Sequence, residues 1–134
     1  MFERRHALGA VALASILAAW AGSQAQSAAP TVIAVQLSNY SYSPAEIVLT
    51  HGQAYVLHLT TSGRHAHDLS AKAFFRTVSL TQGDAAKVRD GDVEVGEGQS
   101  IDVAFVAGAP GAYEMHCTHP LHSMFGMKGR IIVR

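Results

Sequence analysis

From Thr31 onward, apolar residues recur at alternate positions in short runs, and Gly or Pro cuts most of the runs. A period of two marks a strand with one buried face. Ala54 to Thr61 shows it most plainly, with Tyr55, Leu57 and Leu59 on one face and His58 and Thr60 on the other. Ile101 to Val106 repeats it, with Ile101, Val103 and Phe105 opposed to Asp102 and Ala104. Thr31 to Leu37, Glu46 to Leu49, Val93 to Val95, Tyr113 to Cys117 and Gly129 to Val133 read as further strands. Tyr40 to Pro44 reads as a bend, and His51-Gly52, Asp90-Gly91-Asp92 and Ala109-Pro110-Gly111 as turns. Ser70 to Asp90 is the least regular stretch, a loop with one short helical turn over Ala71 to Phe75. There is no repeat, no heptad and no long amphipathic helix. The pattern predicts an all-β domain, a β-sandwich of about seven to eight strands.

The first 25 residues break that pattern. Arg4 and Arg5 precede an uncharged, mostly apolar run from Ala7 to Ala21, and Ser23-Gln24-Ala25 offers the small residues of a cleavage site. A spanning helix needs about 20 apolar residues, and this run is shorter. The expected division is a signal peptide over 1–25 and one domain over 26–134, exported to the periplasm. An uncleaved membrane anchor is the rival reading. After cleavage no stable membrane insertion is expected. Lys plus Arg and Asp plus Glu both number 10, which supplies no basic face for nucleic acid. The domain is expected to be a monomer.

An exported chain with a single cysteine, Cys117, cannot use it for an internal disulfide. Met115, His116, His119, His122, Met124 and Met127 all lie within ten residues of it. Thiolate, imidazole and thioether form a soft donor set, which selects copper over magnesium, calcium or manganese. Zinc is disfavoured because methionine is a poor zinc ligand. Cys117-x4-His122-x4-Met127 places three donors on one loop that can curl round a single ion, with Gly126 and Gly129 to let the backbone turn and Pro120 to stiffen it. Spacing alone leaves Met124 as a rival to Met127. It also leaves His65 beside His67, two residues apart on one side of an extended strand.

Cys-x4-His-x4-Met followed by Gly and a β-branched strand, as in CTHPLHSMFGMKGRIIV, resembles the cupredoxins, the blue copper proteins. Upstream, YSPAEIVLTHGQAYVLHL is similar to that family's early strands, and His67-Asp68-Leu69 sits where the family places its first histidine ligand. The resemblance covers nearly all of Val32 to Arg134. It implies a Greek-key sandwich with one copper, cycling between Cu(I) and Cu(II). The strong ligands would be His67, Cys117 and His122, and the weak axial one Met127. Asp68 would brace the ligand loop. Leu121 departs from the family, which carries a small residue or Gly just before the loop histidine.

The resemblance further implies a one-electron carrier that meets a redox partner protein and is not an enzyme. The surplus of His and Met keeps a second reading open, copper binding for tolerance or delivery with a copper-handling partner. A copper enzyme would need His116 joined by histidines from another domain or subunit. His116 is therefore read as structural or surface, on the opposite face from Cys117, and His119 as solvent-facing near the site mouth. His51 and His58 read as turn and sheet-surface residues. Met115, Met124, Phe74, Phe75 and Phe125 read as core, with Phe125 alternatively part of an apolar patch at the copper edge.

Overall fold

The computed structural model describes residues 28–134. The expected signal peptide, 1–25, lies outside the described residues. Among the described residues, ten strands form two five-stranded sheets. In chain order they are β1 (Thr31–Ser38), β2 (Ser41–Ser43), β3 (Glu46–Leu49), β4 (Ala54–Thr61), β5 (His67–Ser70), β6 (Ser79–Leu80), β7 (Asp92–Val95), β8 (Ser100–Val106), β9 (Gly111–His116) and β10 (Lys128–Val133). One sheet runs β2-β1-β4-β8-β6 and the other β3-β10-β9-β5-β7. Two single-turn helices, α1 (Lys72–Phe75) and α2 (Gln82–Ala85), interrupt the strands.

The alternating runs became the strands that face the core. In β4, Tyr55, Leu57 and Leu59 are buried, and they lie opposite Phe105, Val103 and Ile101 of antiparallel β8. In the second sheet Ile131 and Val133 of β10 lie opposite Ile47 and Leu49 of parallel β3. Val35, Leu37, Phe74 and Met115 complete the layer between the sheets. Each such side chain contributes about 1.5–3 kcal/mol of transfer free energy.

The count exceeds the expected seven to eight strands, for reasons visible in the elements. The bend over Tyr40 to Pro44 contains β2, where only Tyr42 is buried. The irregular stretch contains β6, two residues long, and α2, which has no buried residue. Thr81 caps α2 by accepting from the Asp84 backbone N–H at 3.2 Å.

Candidate metal centre

Two elements from distant parts of the chain meet at one end of the sandwich. His67 opens β5, and all four β5 residues are buried. Cys117 follows β9 directly, and the loop 117–127 carries the chain back to β10. The loop is tied at its base, since Cys117 N donates to Met127 O at 3.2 Å and Met127 N donates to His122 O at 3.0 Å. Inside it, His122 N donates to His119 O at 3.2 Å and Phe125 N to Leu121 O at 3.0 Å. These bonds turn the loop back on itself, so residues five apart in sequence reach one point.

There the two His Nδ1 atoms, of His67 and His122, lie 3.1 Å apart, and Cys117 Sγ lies 3.5 Å from His122 Nδ1. The three donor atoms lie within 4.8 Å of one another. Bonds of ~2.0 Å to nitrogen and ~2.3 Å to sulfur, in tetrahedral array about one first-row ion, require donor spacings of roughly 3.3–3.5 Å. Two of the three donor pairs therefore lie close to the spacing that a single ion needs, and the third lies within 4.8 Å. His67 and Cys117 are buried and His122 is half-buried.

Met127 is 0% exposed, whereas Met124 is 78% exposed. Burial is thus opposite for the two methionines that spacing alone left as rivals. It also corrects the reading of Met124 as core. His65 is exposed and lies outside β5, while His67 is 0% exposed within it.

Asp68 ties the two halves together. Its carboxylate accepts from Thr118 N at 2.7 Å and from Thr118 Oγ1, one residue beyond Cys117. Its carbonyl accepts from the Tyr42 hydroxyl at 2.7 Å. Burial, helped by Cys117 and Asp68 nearby, pushes the Tyr42 phenol far up, so it stays a donor.

Burial also sets the protonation of the trio. It lowers His67, with the His122, His119 and His65 rings adding to the effect, and it lowers His122 in the same way. It pushes the Cys117 thiol up, although backbone hydrogen bonds at Asp68 and His119 pull the other way. All three shifts favour neutral groups, which pack without like-charge repulsion until a cation takes the thiolate.

The rim of this site is apolar. Leu121 is 57%, Phe125 60% and Tyr40 44% exposed. Phe125 therefore belongs to a surface patch rather than to the core. The Tyr40 ring meets the His122 ring edge-on at 5.5 Å and the Phe125 ring at 5.0 Å. Sequence reasoning missed Tyr40 and Thr118, because each reaches the site only through tertiary contact. His116 is exposed, and neither cluster of metal-capable side chains among the described residues includes it. His119 is half-buried instead of freely solvent-facing, because it bonds Glu94 of β7 at 3.0 Å.

Among the described residues no helix is long and apolar enough to cross a membrane. A family model described as Cupredoxin-like domain matches residues 10–133. Among solved structures, a sodium-dithionite-reduced auracyanin from the photosynthetic bacterium Roseiflexus castenholzii is 25% identical. It aligns over 80% of this chain and 99% of its own, with a TM-score of 0.57. Auracyanin B is 19% identical, with 80% and 91% of the two chains covered and a TM-score of 0.56. Auracyanin A, a "blue" copper protein from the green thermophilic photosynthetic bacterium Chloroflexus aurantiacus, is 18% identical, with 79% and 100% covered and a TM-score of 0.56. No curated protein sequence matches.

Proposed function

This chain belongs to the cupredoxin-like domain family, and from that premise we propose that it is an exported one-electron carrier with a single copper. His67, Cys117 and His122 would hold the ion as strong ligands, with Met127 as a weak fourth. The observation that carries this reading is the convergence of two imidazole nitrogens and one thiol sulfur within 4.8 Å. Bound copper supplies a one-electron couple between Cu(II) and Cu(I). The chain supplies the rest. Asp68 fastens β5 to the loop through Thr118, which keeps His67 in register with Cys117. A frame tied in this way rearranges little when the charge of its guest changes.

The His122 edge reaches the surface inside the apolar rim of Tyr40, Leu121 and Phe125. A redox partner can dock there by apolar contact and approach this imidazole closely. In this reading the chain acts as a carrier and not as an enzyme. Export to the periplasm rests on the leader-like first 25 residues.

The test is the visible spectrum of the Cu(II)-loaded mature protein beside Cys117→Ser. An intense band near ~600 nm that disappears in Cys117→Ser is expected of a copper–thiolate site. A colourless protein that still binds copper would overturn the carrier reading.

One observation favours a second reading, copper handling. Met124 is 78% exposed and His65 is also exposed, so both stand as free donors among the residues around the site. A carrier retains one copper against a chelator, whereas a handling protein releases it.

A further inference from the structure

A second cluster stands beside the donor trio and shares no residue with it. One ligand atom each from Asp68, Glu94 and His119 lies within 4.8 Å of the others. Sheet register builds this cluster. β5 and β7 are antiparallel, with Asp68 opposite Glu94 and Ser70 opposite Asp92. Residues two apart on a strand share a face. Asp68, Ser70, Asp92 and Glu94 therefore form a polar patch on the face turned away from the core residues His67, Leu69, Val93 and Val95. The loop lays His119 over it, with Nε2 at 3.0 and 3.1 Å from the two Glu94 carboxylate oxygens.

The patch has donor capacity left over. Asp68 is only 3% exposed, and Thr118 occupies one position on each of its oxygens. A carboxylate offers about four acceptor positions, so two remain. Next along the same face, Ser70 Oγ and Asp92 Oδ1 are buried with no hydrogen-bond partner, and Ser70 is 0% exposed. Buried polar atoms are rarely left so. A surface depression of about 570 Å³ opens here, with Asp68, Asp92, Glu94 and Thr118 in its wall. Two cations also line the depression, Arg89 and Lys87, and Lys87 is engaged by Asp84 at 2.9 Å and by the Asp102 carbonyl at 2.7 Å.

We propose that Asp68, Glu94 and His119 bind one divalent cation of the zinc(II) or copper(II) class. One imidazole and two carboxylates form a borderline donor set that suits these ions, with water completing the coordination. The set lacks thiolate and thioether, so it does not favour Cu(I). It therefore differs in preference from the Cys117 trio. The two sites are adjacent, since the His119 and His122 rings stack at 5.5 Å. They are also joined mechanically, because Asp68 braces Thr118 and His119 rides on the same loop.

The experiment is a zinc titration of the copper-loaded protein by isothermal calorimetry, with bound zinc counted after gel filtration and the visible band monitored throughout. One zinc per chain is expected, with the copper band retained. Glu94→Gln and His119→Gln are each expected to weaken zinc binding at least tenfold without bleaching that band. No retained zinc in the parent protein would overturn the proposal, leaving His119–Glu94 as an ion pair only. Zinc bound equally well by both variants would overturn it too. A chain that never turns blue would leave this readout intact, because zinc dependence on Glu94 is then measured in Cys117→Ser.

Discussion

Leu121 holds φ at 68°, in the left-handed region where a Cβ is crowded. Its side chain is 57% exposed, so little burial offsets that strain. The position is also where the chain departs from the small residue or Gly of the family loop. Leu121→Gly removes strain of about 1–2 kcal/mol and loosens the unfolded chain at a cost of about 0.5–1 kcal/mol, so strain relief is the larger effect. Leu121→Ala keeps a Cβ and the strain. Leu121→Gly is therefore expected to be more stable than Leu121→Ala by about 1 kcal/mol, the reverse of the order at an ordinary position. Paired urea melts check this, and equal midpoints would show that the loop bears no strain there. At this scale the candidate site was half legible. Cys117, His122 and Met127 lie on one loop, so their spacing could be read directly. His67 comes from another strand and needed the family resemblance. Glu94 was invisible, because only the register of β5 against β7 sets it opposite Asp68.

Elements read well where one face meets the core and the other meets water. β4 and β8 alternate for that reason, and their burial follows the expected faces residue by residue. β5 gives no alternation, since both its faces are covered, by the core on one side and by the loop after β9 on the other. Gly129 shows a different failure. It was expected to help the backbone turn beside the metal, yet it lies inside β10 and its φ is not positive. Its role is close approach. A Cβ there would fall 2.3 Å from Ala45 O and 2.5 Å from Met115 Cε. Ala45 O also accepts from Arg130 N at 2.9 Å, where β10 meets the start of β3. Gly129→Ala must push these apart, at a cost of about 1–3 kcal/mol, or roughly 5–20 °C in Tm for a domain of this size. Gly83→Ala in α2 meets nothing within 4 Å and serves as the control. Matching thermal melts for the two variants would remove close packing as the reason for this glycine.

On the scale of the whole molecule, charge and surface point to one mode of encounter. Positive and negative side chains balance at 10 each over the full sequence, and loss of the first 25 residues removes only Arg4, Arg5 and Glu3, so no strong net charge repels a second copy or steers a charged partner. What remains at the site end is the apolar rim of Tyr40, Leu121 and Phe125 around the His122 edge. Two copper-loaded copies can therefore meet rim to rim, and electron self-exchange between them should be fast and nearly independent of salt. Phe125→Lys places one new cation on each facing rim. The exchange rate, read from NMR line broadening in mixtures of oxidised and reduced protein, is expected to fall at least tenfold at low salt. It should partly recover near 0.1 M salt, where the screening length shrinks to about 10 Å. Val32→Lys adds the same charge at a site that is 61% exposed, near the opposite end of β1 from Tyr40. It is expected to leave the rate unchanged. Equal slowing by both variants would mean that net charge, and not the rim, governs the encounter. If neither variant slowed exchange, the rim would not be the docking face.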